Sequence, residues 1–139
     1  MNKKALIFSE FLTEKNIKCL KKKELSDEFG TVIFSSHLEV QGEKLSLIVI
    51  NDVSIYTVVR VMVLNEINLK KKKELLTKIN QLNGVYKAFK YYIAKNNLFL
   101  DICIPCDKDS YNSEIIYTLL DVLLKHLVEE YKSLNKYKK

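Results

Sequence analysis

Two cysteines at C-x-x-C spacing, Cys103-Ile104-Pro105-Cys106, are the residues of this 139-residue chain whose pattern most directly suggests chemistry. Such a pair works as a dithiol redox couple where a strand runs straight into a helix whose N-terminus stabilises a thiolate, or as half of a tetrahedral zinc site. Neither context follows here. The polar stretch Asp107 to Asn112 separates the pair from the next helical pattern, and the remaining soft ligands, Cys19, His37 and His126, are scattered without ligand spacing. Cys103 and Cys106 are therefore expected as strand-end residues, free thiols packing as small hydrophobes. His37 and His126 are the only imidazoles, and neither stands in a spelling that gives a general base its partner. Asp101 and Asp121 define no carboxylate pair by sequence alone. The three glycines, Gly30, Gly42 and Gly84, are ungrouped, which excludes a glycine-rich phosphate loop. The expectation is a protein with no catalytic residue, no metal ligand and no cofactor.

What remains is surface that could bind. Lys70-Lys71-Lys72-Lys73 opens a helical segment and sets four ammonium groups at the positive end of a helix dipole, which an anionic partner would relieve. Plain solvation with Glu74 nearby accounts for the same run more simply. Tyr86, Tyr91 and Tyr92 would offer stacking rings if nucleic acid bound, although strand propensity and core packing also select tyrosine. The net charge of +6 and pI near 9.1 suit an anionic partner. Arg60, however, is the sole arginine, so the excess is lysine, which solubilises as readily as it binds.

Composition bounds the class. With 47% hydrophobic and 29% charged residues the chain is of globular type, and its length suits one domain with one core. Glu10 and Glu14 interrupt the apolar start Ala5-Leu6-Ile7-Phe8, so it reads as no export signal. The longest nearly uncharged apolar stretch, Val53 to Val59, is far short of the roughly 20 residues that cross a bilayer. An odd number of cysteines without an export signal fits reduced thiols in the cytoplasm.

The elements that must position these residues follow from periodicity. Ala5, Phe8, Phe11 and Leu12 recur at helical spacing between Lys3 and Asn16. Lys18 to Glu28 has too few apolar residues for a long element and reads as a connection able to carry a short edge strand. From Thr31 the period is two, with Val32, Phe34, Leu38 and Val40 on one side and a turn at Gln41-Gly42-Glu43. Leu45 to Ile50 is the next strand, closed by a tight hairpin at Asn51-Asp52. The third, Ser54 to Leu64, is apolar on both sides: Tyr56, Val58, Met62 and Leu64 on one face, Ile55, Val59, Val61 and Val63 on the other. Such a strand belongs at a sheet centre or in a protein contact.

Asn68 suits the N-cap of a second helix carrying Leu69, Leu75, Leu76, Ile79 and Leu82, ended in the left-handed conformation at Asn83-Gly84. Val85 to Lys95 and Leu98 to Ile104 pair through a two-residue loop at Asn96-Asn97. The last helix, Ser113 to Asn135, would be roughly 35 Å long, with Lys136 to Lys139 fraying. The expected fold is α+β, a five-stranded, mainly antiparallel sheet with three helices in the order α-β-β-β-α-β-β-α.

This order, with the helix end Ile79-Asn80-Gln81-Leu82-Asn83 after a strand closing near Leu64, resembles the YbjN branch of the type III secretion chaperone-like superfamily over nearly the whole chain. The resemblance implies a small domain that dimerises and offers apolar surface to an extended or partly folded polypeptide, without cofactor or catalysis. The basic charge departs from the acidic secretion chaperones and favours a more distant member with its own partner. The expected function is thus a non-enzymatic cytoplasmic chaperone-like or adaptor protein that binds a protein partner as a homodimer, with Tyr56, Val58 and Met62 in the contact. The alternative is a basic nucleic-acid-associated or inhibitory protein from a mobile element.

Overall fold

Alternation of apolar and polar residues from Val32 onward sets up a meander of long strands, and a computed structural model describes it within the whole chain, Met1–Lys139. The order is α1 (Lys3–Glu14), β1 (Lys21–Glu24), β2 (Val32–Val40), β3 (Glu43–Asn51), β4 (Tyr56–Leu64), a 3-10 turn (Leu69–Lys71) leading into α2 (Lys72–Val85), β5 (Lys90–Ala94), β6 (Asn97–Pro105) and α3 (Ser113–Asn135). The class is α+β with three helices, and all strand pairings are antiparallel. The sheet has six strands, in the order β1-β2-β3-β4-β6-β5, rather than the five expected. The extra one is β1. All four of its residues, Lys21-Lys22-Lys23-Glu24, are exposed, so it carries no apolar alternation to read and is held by backbone pairing to Val32–Ser35. A short lysine-bearing strand suits a sheet edge, where charge discourages further pairing.

One face of the sheet is the core. Phe34, Val49, Val59 and Ile102 follow one another across four strands, Leu47, Val61 and Leu100 across three, and all are buried. Helices α1 and α3 lie on this face, with the Phe8 ring edge-on to Phe34 at 5.0 Å and Ile116, Leu123, Leu127 and Leu134 fully buried. At about 1.5–3 kcal/mol for each large apolar side chain removed from water, this one cluster of 28 residues drives the collapse. No helix is long and apolar enough to cross a membrane.

Helix α2 lies beside β5 instead of over the sheet. Its Asn83 side chain accepts from the Tyr91 N–H at 2.7 Å and donates to the Tyr91 carbonyl at 3.0 Å. The amide thereby imitates a neighbouring strand and closes the β5 edge. This corrects the expectation that Asn83-Gly84 ends the helix in a left-handed turn: α2 continues through Gly84 to Val85.

Other local readings shift for similar reasons. Asn68 caps the 3-10 turn, accepting from Lys70 N–H, and so precedes α2 by one turn. The β5–β6 loop is Lys95-Asn96, both with positive φ, because Asn97 already pairs with Ala94. The β3–β4 connection is a longer loop through Asp52–Ile55 in place of a two-residue hairpin, with Asp52 capping the Ser54 N–H. The final residues do not fray. Tyr137 is buried, its carbonyl accepts from Asn68 N–H, and Lys139 N–H donates to Glu66.

Candidate functional site

The second face of the sheet has no helix on it. Ile33, Ile50, Val58 and Cys103 form one row across it, and Ser35, Ile48, Arg60 and Asp101 the next. A third row brings Met62, Phe99 and Tyr92 together. The aliphatic and aromatic members are half-buried, shielded only by one another, while Asp101 is 4% exposed. Apolar side chains sit here because β3 and β4 carry β-branched residues on both sides, Ile48, Ile50 and Val58 among them, which favours strand but leaves one face without cover.

A bidentate ion pair interrupts the apolar strip. Arg60 Nε and Nη2 donate to the two Asp101 oxygens at 2.9 and 3.0 Å, and the Tyr92 hydroxyl donates to the same carboxylate at 3.1 Å. The hydrogen-bonded Asp101 carboxylate raises the Arg60 pKa further, and burial followed by the Asp101 charge raises that of the Tyr92 phenol. Tyr92 stacks on Phe99 at 5.5 Å, and Lys90 Nζ lies 5.3 Å from the Tyr92 ring centre. Lys21, Lys23 and Lys90, all exposed, occupy the two ends of these rows. The face is therefore an apolar strip with a neutralised ion pair in it and basic margins.

Of the residues expected to bind a partner, Val58 and Met62 are half-buried on this face and Tyr56 is exposed at its end. Leu64 leaves the face, because a register shift between Met62 and Leu64 turns both Val63 and Leu64 into the core. Lys70 and Lys71 belong to the 3-10 turn and Lys72 and Lys73 to the first turn of α2, all four exposed. The three tyrosines do not share a surface: Tyr91 is buried on the core face, Tyr86 is half-buried at the end of α2, and Tyr92 alone faces the open side. Cys106 is buried with its thiol donating to Thr57 Oγ1, whereas Cys103 is exposed. No group of three or more His, Cys, Asp or Glu side chains is assembled as a metal site.

Buried His126 packs among Phe89 and Tyr91, also buried, and half-buried Tyr86, with ring centres 4.3–5.8 Å from its own. The Tyr91 hydroxyl lies 2.6 Å from Nε2, and Nδ1 is buried without a partner. Burial lowers the His126 pKa against the opposing pull of Glu130 and Glu129, and burial raises that of Tyr91. The unfolded chain therefore takes up a proton on His126 before the folded one does. Stability is expected to fall as pH drops below about 6.5 and to keep falling until the lower folded-state value is passed. Urea unfolding at pH 8 and pH 5.5 measures this, and His126→Gln, which cannot charge, should flatten the profile.

Sequence reasoning missed Lys4. It is 2% exposed, and its ammonium is held by the carbonyls of Ser54 at 3.0 Å, Tyr56 at 2.8 Å and Cys106 at 3.3 Å, with Thr57 Oγ1 at 3.3 Å. The only available signal was its position beside Ala5 and one turn before Phe8, on the buried side of α1. Asn2, the N-cap of α1, also donates to the carbonyls of Gly30 and Asn51. The helix start is thus fastened to two loops by polar side chains. This cluster ties chain segments together and presents no reacting group to solvent.

No protein-family model matches the chain, and no curated protein matches it.

Proposed function

We propose that the protein is a chaperone-like or adaptor module without chemistry of its own, which docks a protein partner on the open sheet face through Val58, Met62, Ile48 and Ile50. The observation that carries this reading is an apolar strip spanning β2, β3, β4 and β6 with no element of the chain above it. Apolar strips of this extent on one face mark interaction surfaces, and a central strip with charged margins is the usual anatomy of a protein contact. The margins suggest the partner's chemistry. Two copies of this face would each bring the unpaired Lys21, Lys23 and Lys90 to a shared rim, whereas a partner with carboxylates around an apolar patch would neutralise them.

Val58→Glu with Met62→Glu, shown to be folded by circular dichroism, sets two carboxylates in place of half-buried apolar side chains of the strip. The same variant should lose the partner recovered by cross-linking and mass spectrometry from the native cell. Retention of every cross-linked partner by the folded variant would remove the reading. Light scattering adds a second arm: a wild-type dimer dissolved by the same substitutions would assign the face to self-association. Binding of DNA or RNA that weakens steeply with salt would assign the rim lysines to an anionic polymer instead.

A further inference from the structure

Strand β1 covers only the first half of β2. Its residues pair with Val32–Ser35, so Ser36–Val40 has β3 on one side and no strand on the other. The hairpin turns through Gln41-Gly42, both with positive φ, which makes Val40 and Glu43 a hydrogen-bonded pair. Pairing alternates from there. The amides of Ser36 and Leu38 point to β3, and those of His37 and Glu39 point away from it. Neither β1 nor any turn or loop hydrogen bond reaches the backbone of His37 or Glu39.

Beside this edge, on the core side, runs a groove of about 490 Å³ between the sheet and the first half of α3. Leu20, Leu38 and Leu47 form one wall, and Tyr117, Leu120 and Leu124 the other. The acids at its rim are already matched: Glu114 lies 3.6 Å from Lys15, and Asp121 lies 3.0 Å from Lys125. An apolar groove would accept many ligands. An apolar groove running along unpaired strand amides selects a polypeptide in extended conformation, whose own N–H and C=O groups repeat at strand spacing.

We propose that Ser36–Val40 and this groove bind an extended segment of another protein, which adds antiparallel or parallel to β2 and inserts alternate apolar side chains between β2 and α3. The free edge accommodates about five residues, roughly 17 Å of strand. Backbone pairing with His37 and Glu39 supplies four hydrogen bonds, and side chains on one side of the added strand meet Leu38, Leu120 and Leu124. A second copy of this chain fills the site poorly. The side chains its own β2 edge would contribute are committed, Val40 fully buried and Leu38 half-buried against its own core. The site uses none of the residues of the apolar strip, since His37 and Glu39 contribute only their backbone edge, and it stands independently of the function proposed for the open face.

Selection of a displayed library of random linear peptides against the full-length protein tests the idea. Enriched peptides should carry apolar residues at i, i+2 spacing, and their binding should slow amide exchange at His37 and Glu39. Two variants probe the site separately. Glu39→Pro removes an outward donor without touching the β3 ladder, and Leu120→Lys places a charge in the groove. Each, once shown to be folded by circular dichroism, should weaken the selected peptide by at least about tenfold, while Val58→Glu/Met62→Glu on the open face should bind it unchanged. Enrichment of helical i, i+4 patterns, no enrichment at all, or affinity untouched by both site variants would overturn the proposal. So would a wild-type dimer that Glu39→Pro converts to monomer, since the occupant would then be a second copy.

Discussion

Replacing Lys4 by methionine lowers the free energy of unfolding by about 3 kcal/mol, read from urea denaturation at neutral pH. Methionine keeps most of the volume of the aliphatic stem but has no donor. The carbonyls of Ser54, Tyr56 and Cys106 and the hydroxyl of Thr57 then lose a charged partner in a place where water does not replace it. Hydrogen bonds to charged groups are the stronger kind, and buried acceptors left unmade carry the full desolvation cost. Lys3, 58% exposed at its side chain, is the control: Lys3→Met should stay within about 0.5 kcal/mol of wild type. The loss should be local at first, with faster exchange at Cys106 N–H, which donates to Ile55 across the same loop. A cost for Lys4→Met no larger than for Lys3→Met would show that the ammonium does not hold the β3–β4 loop to β6.

Arg60→Met carries the second large effect, about 2 to 3 kcal/mol. The guanidinium side chain is 36% exposed while Asp101 is nearly inaccessible, so removing the cation leaves a buried carboxylate with the Tyr92 hydroxyl as its remaining partner. The partial exposure of Arg60 keeps the figure below that for a fully buried pair. The double variant Arg60→Met/Asp101→Leu should recover most of the loss, because an apolar pair of similar volume removes both charges together. That variant separates stability from recognition. If the ion pair orients a partner on the open face, partner capture stays weak after stability returns; if it serves only the fold, capture returns with it.

Much of the fold was legible because its apolar pattern is regular. Val32, Phe34, Val49, Val59 and Val61 alternate as a half-buried sheet requires, and the stripe through Ile116, Leu123, Leu127 and Leu134 could only be a helix. Strand β1 was legible only as a connection able to carry a short edge strand and stayed out of the strand count, since Lys21-Lys22-Lys23-Glu24 is fixed by the backbone of β2 and its side chains take no part in the core. Asn83-Gly84 spelled a helix end and became a cap for the β5 edge, a role that depends on where Tyr91 lies in space. Val58 and Met62 were readable as members of a doubly apolar strand, yet nothing along the chain told which of its faces the helices would choose.

By itself the sequence determined the α+β class, the three helices, the long strands and the central position of Tyr56–Leu64. These follow from local periodicity and from the β-branched run, which each segment carries without reference to the others. Tertiary structure alone decided which sheet face stays open, where the half-covered edge of β2 meets α3, and that a lysine near the N-terminus becomes the buried tie between β4 and β6. Those outcomes depend on residues dozens of positions apart meeting with complementary shape and hydrogen bonding, a relation that no window of sequence contains.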